Sequence, residues 1–73
     1  MTLADLRPGQ TVTLAAVGGE RAFRRRLMEL GFVPETPVQL IDVAPLGDPL
    51  RFCVRHSHVS IRRREAAVID VRP

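Results

Sequence analysis

The sequence predicts a mainly β fold with one short helix, a small barrel of about five strands, and three observations predict it. Helical periodicity is clear in one place only, around Phe23 to Leu30, where Gly31 and Pro34 stop it. The other apolar residues fall in short runs separated by turns rich in proline and glycine. With 73 residues, too few for two domains, the chain buries only ~60% of its unfolded surface. One closed or nearly closed sheet is then the most economical way to remove unpaired strand edges.

The helix runs from about Glu20. At about 100° per residue, Phe23, Leu27 and Leu30 share a narrow arc that faces a core, Arg24 and Arg26 flank it, and Arg25 points to water. Gly31 supplies the left-handed residue that closes a helix, Phe32 folds back on Leu27, and Pro34 forbids continuation. Met28 lies about 100° off the stripe, between Arg24 and Arg25. It is either a contact residue on an exposed flank or a gap filler tucked against a strand.

Before the helix, Leu3 and Leu6 tuck inward and Pro8-Gly9 turns the chain into a first strand, Thr11 to Val17. Its alternation breaks at Ala15-Ala16-Val17, and Gly18-Gly19 releases it. A second strand, Thr36 to Val43, places Val38, Leu40 and Asp42 on one face, and Ala44 to Pro49 is a loop. A hairpin follows. With His56-Ser57 as a two-residue turn, Val54 stands opposite Val59 and Phe52 opposite Ile61, while Arg51, Cys53, Arg55, His58, Ser60 and Arg62 point outward. His56-Ser57 suits such a turn poorly, since it favours Gly or Asn, and a longer loop is the alternative. Arg63 to Ala66 makes one helical or 3-10 turn, and Ala67 to Val71 is the last strand, with Val71, Ile69 or Val68 inward.

Composition excludes several functions. No apolar run approaches the ~18 residues of a membrane span, and the first residues lack a signal peptide's pattern, so a cytoplasmic location is expected. A single cysteine, Cys53, agrees with a reducing compartment. The net charge of +3 comes with eleven arginines and no lysine. Without lysine there is no phosphate-binding loop of the Walker type and no Schiff-base chemistry. The all-arginine set fits oxyanion recognition, but arginine at plainly exposed positions such as Arg7 and Arg72 points to GC-rich coding.

Catalysis needs a nucleophile and base held together, whereas both histidines lie at one hairpin tip with no acid beside them in sequence, so no enzyme is expected. Phe23, Phe32 and Phe52 are the only aromatics and are all assigned to the core, which leaves no stacking platform for RNA or DNA and no groove for proline-rich peptides. Cys53, His56 and His58 are weak metal candidates: the two histidines supply at most half a coordination shell, so an ion needs a second molecule, and the alternatives are a solvated turn or a weak or metal-bridged homo-oligomer. The eight acids are scattered singly, and no cofactor is implied. A protein-docking module remains.

Four segments in order carry a family resemblance: Pro8-Gly9; Arg26-Leu27-Met28-Glu29-Leu30-Gly31 with Pro34; Ala44-Pro45-Leu46-Gly47-Asp48-Pro49; and Val59-Ser60-Ile61-Arg62 with Glu65-Ala66. Together they resemble FeoA, the small accessory protein of bacterial ferrous iron transport, over essentially the whole chain. The resemblance implies an SH3-like barrel in the cytoplasm, peripheral to the inner membrane through its partner, the membrane GTPase transporter FeoB. It also implies a fold shared with the C-terminal domain of iron-dependent repressors, which keeps a metal-responsive regulatory domain, or a small basic barrel binding nucleic acid, as alternatives. The family commonly has glycine where this chain has Glu35 and His56, both places where positive φ is easy only for glycine. A partner is expected at Arg24, Arg25 and Met28, or else on the outward hairpin face carrying Arg51, Arg55 and Arg62.

Overall fold

A computed structural model describes residues 1–73. The chain opens with a 3-10 turn at Leu3–Asp5, capped at Thr2, whose N–H donates to the Asp5 carboxylate at 2.8 Å. The elements that follow are β1 (Thr11–Val17), α1 (Arg21–Glu29), β2 (Pro37–Val43), β3 (Leu50–Val54), β4 (Ser57–Ile61), α2 (Arg63–Ala66) and β5 (Ile69–Arg72). The strands form one antiparallel sheet in the order β4-β3-β2-β1-β5. β4 and β5 lie at its two ends and do not pair with each other, and α2 connects them in the chain.

Inward residues follow the period-2 rule of a half-buried strand. Val12, Leu14, Val38, Leu40, Leu50, Phe52, Val54, Ile61, Ile69 and Val71 make the core, which Leu3, Leu6, Leu27, Phe32 and Ala66 close. Two bulges set its shape. In β1 the register shifts between Leu14 and Ala16, and in β2 between Leu40 and Asp42, so one extra residue bends each strand. The second bulge corrects an expectation: Asp42 does not share the inward face of Val38 and Leu40 but stands exposed opposite Arg51.

The hairpin register also differs from expectation. The turn is Arg55-His56, with φ of 49° and 67°, which pairs Val54 with Ser57, Cys53 with His58 and Phe52 with Val59. Two consecutive residues at positive φ are what the favoured two-residue turn demands, and here neither is glycine. The slip leaves every face as expected, because pairing moves by two positions and side chains alternate with period 2. At the last strand, Val68 is exposed in the preceding turn, and only Ile69 and Val71 are buried.

Candidate functional site

α1 forms because Phe23 and Leu27 recur on one side among helix-favouring arginines. Glu20 occupies its N-cap position without a side-chain cap, so tertiary packing rather than capping fixes that end. The other end is firmly stopped. Gly31 takes φ 105°, its N–H donates to the Met28 carbonyl at 3.0 Å, and the Phe32 N–H donates to the Leu27 carbonyl at 2.9 Å. These paired bonds satisfy the last helical carbonyls and drop Phe32 into the core beneath Leu27. Leu27 is 2% exposed. Leu30, expected on the same stripe, is instead 42% exposed, because it is the C-cap residue, where the chain is already leaving the barrel.

The opposite flank of α1 faces a groove. Met28 is 60% exposed, and with Arg21, Arg24 and Arg25 it walls a cavity of about 610 Å³. Ala15, Ala16 and Val17 line it from β1, with Phe32 to Pro34 from the chain after the helix. The bulge at Ala15 explains the β1 side: the strand bends there, and small side chains leave open volume. Beyond Pro34, Glu35 takes φ 75° and its N–H donates to the Leu14 carbonyl at 2.8 Å, pinning that wall to β1. The groove is apolar in its lining and cationic at its rim, since Arg21, Arg24 and Arg25 join none of the ion pairs, which are Arg26–Glu65, Arg51–Asp42 and Arg72–Glu35. Arg26 belongs to the other side of α1, 3.5 Å from Glu65 and with its guanidinium 5.7 Å from the Phe23 ring centroid.

The hairpin residues do not join this groove. Arg51 reaches back to Asp42, Nε to Oδ1 at 3.0 Å, which holds the Asp42 carboxyl below its ordinary value of 3.8 and raises the Arg51 guanidinium. Its Nη1 lies 3.5 Å from His58 Nδ1. Arg55 is in the turn near Gly31, and Arg62 precedes α2, its N–H donating to the Glu65 carboxylate at 3.2 Å. Cys53, Arg55 and His56 line a separate polar cleft of about 370 Å³ with Thr11, Thr36 and Gln39. No three side chains of His, Cys, Asp or Glu gather into a group that could hold a metal ion.

The sequence points to Arg24, Arg25 and Met28 of this groove and not to Arg21, Ala15 to Val17 or Val33. The broken alternation at Ala15-Ala16-Val17 was the available signal, since it marks the bulge.

Comparison with known proteins places this geometry. Over 71 residues, 97% of this chain, the sequence is 37% identical to the Fe(2+) transport protein A/Fe(2+) transporter FeoB fusion protein of Porphyromonas gingivalis, of whose length the chain spans 8%. The solution structure of the FeoA protein from Chlorobium tepidum aligns with a TM-score of 0.95 at 38% identity, covering 99% of this chain and 69% of that one. The crystal structure of Stenotrophomonas maltophilia FeoA complexed with zinc, described as a prokaryotic SH3 domain protein, aligns with a TM-score of 0.85 at 32% identity, covering 97% and 88%. A manganese-dependent transcriptional repressor, at 16% identity and a TM-score of 0.86 over 99% of this chain and 40% of its own, shares the fold alone. The barrel is therefore SH3-like, the FeoA domain family matches residues 1–73, and the chain belongs to the FeoA family.

Proposed function

We propose that this chain is a single-domain accessory protein of ferrous iron uptake that docks on the cytoplasmic part of a FeoB-type membrane GTPase through the groove beside α1. The observation that carries the reading is the Porphyromonas gingivalis fusion, in which an A-type and a B-type protein are one polypeptide. Fusion keeps two partners at high effective concentration, an arrangement suited to proteins that work in contact. The groove supplies matching chemistry. Met28 offers an unbranched apolar side chain among the unpaired guanidiniums of Arg24 and Arg25, a mixture enriched at protein contact surfaces.

In this reading the chain binds and does not catalyse. It works in the cytoplasm, reaching the inner membrane only through its partner, and the transporter moves the iron. Calorimetric titration of the purified chain with the cytosolic GTP-binding domain of its cognate transporter should give saturable binding. Absence of binding to that domain, or saturable GTP binding to this chain alone, would overturn the proposal.

A further inference from the structure

The two ends of the sheet are finished differently. At β5 the chain covers its own edge: the Val71 N–H donates to the Met1 carbonyl at 3.0 Å, and Thr2 forms a bridge with Asp70. At β4 no such cover exists. A two-residue turn makes Val54 and Ser57 a mutually hydrogen-bonded pair, and in an antiparallel ladder such pairs alternate. The N–H and C=O groups of His58 and Ser60 therefore point away from β3, about 6.8 Å apart along the strand. No turn, loop or side-chain group bonds to them. The edge also lacks the usual protections, having neither a proline nor a bulge.

Beside this edge a second groove, about 400 Å³, separates β4 from α1. Phe23 and the exposed Leu30 line it from the helix, Val59 and Ile61 from the strand, and Arg26 and Arg62 rim it. Glu65, the one carboxylate in its lining, is already engaged by Arg26 and by the Arg62 N–H. An incoming strand thus meets a ladder of free backbone groups, apolar side chains within reach and surplus positive charge.

We propose that the β4 edge captures an extended acidic segment of a partner protein by strand addition. Alternate apolar side chains of that segment enter the groove, and a carboxylate of it meets Arg62, the rim guanidinium that joins no ion pair. A second copy of this chain is the poorer occupant, because pairing β4 with β4 brings the same arginines together. The inference rests on the sheet edge and is independent of the groove walled by Arg24, Arg25 and Met28.

The test is a titration of the full chain with a blocked seven-residue peptide alternating aspartate and valine, followed by amide hydrogen exchange in NMR. Exchange at His58 and Ser60 should slow at least tenfold at saturation. Ser60→Pro removes one outward N–H while leaving the β3 pairing intact, and should weaken binding at least tenfold; Arg62→Glu should do the same. Should Ser60→Pro fail to fold, Arg62→Glu and the exchange pattern decide. Any of four results overturns the proposal: no binding at millimolar peptide, equal binding of a lysine–valine peptide, protection confined to residues around Met28, or self-association through β4 in the absence of peptide.

Discussion

At the end of α1 the chain reverses through Gly31 at φ 105°, whereas at the end of β3 it reverses through Arg55 and His56 at φ 49° and 67°. Glycine adopts the left-handed region without steric penalty, while each side chain placed there costs on the order of 1 kcal/mol. The two turns also touch. A Cβ on Gly31 would sit 3.1 Å from the Cδ of Arg55, so the bare backbone of one turn makes room for the arginine of the other. The helix stop is built for stability, and the hairpin turn keeps side chains at a stability cost. Arg55 and His56 line the polar cleft with Cys53, where glycines would contribute only backbone.

The largest expected effect lies on the helix side. Leu27→Ala removes a buried side chain between Phe32 and the barrel core and should lower the unfolding free energy by about 2–5 kcal/mol in a urea titration. A loss under ~1 kcal/mol would show that α1 does not seal the core. Gly31→Val comes next. A β-branched residue resists φ 105° and would press on Arg55, so the same titration should show a loss of about 1–3 kcal/mol.

The hairpin should respond in the opposite direction. His56→Gly relieves a strained dihedral but gives the unfolded chain more freedom, and a net gain of about 0.5 kcal/mol is expected by thermal unfolding. A loss would mean that the His56 side chain contributes more than its backbone costs. The smallest effect concerns Asp42. The Arg51 guanidinium holds its folded-state pKa below 3.8, so the ion pair contributes stability above that value and loses it as pH falls through the lower folded value. Because the pair is exposed, the contribution is small and screened by salt. Asp42→Asn should flatten the decline of the thermal midpoint below about pH 4 at low ionic strength, and high salt should erase the difference.

The contrast between the two turns also explains what the sequence disclosed. α1 and its end were legible because Gly31 and Pro34 are residues whose backbone limits dictate a stop. The hairpin register is not legible, because Arg55 and His56 adopt dihedrals their residue types disfavour, and the turn falls one residue before the position expected from sequence. Leu30 was misjudged because helical periodicity does not register that a C-cap residue has left the core. The bulge in β2 that turns Asp42 outward is a pairing irregularity with no residue signature. Of the candidate docking groove, the arginine and methionine wall was visible from the helical wheel. The small-residue side on β1 is signalled only by the broken alternation at Ala15-Ala16-Val17, which marks a bulge without saying which cavity the bend opens.

Arginines flank both turns, but Arg25 is unpaired beside the apolar groove, and Arg55 stands over a polar cleft. The most direct test of the docking account therefore compares Arg25→Glu with Arg55→Glu by calorimetric titration against the cytosolic domain of the cognate FeoB-type transporter, with thermal midpoints recorded alongside. The account predicts that Arg25→Glu abolishes binding while its midpoint stays within a few degrees of the parent, that Met28→Asp does the same, and that Arg55→Glu retains binding. Full binding by a folded Arg25→Glu, together with loss of binding in Arg55→Glu, would contradict it and move the docking surface to the hairpin face carrying Arg51, Arg55 and Arg62.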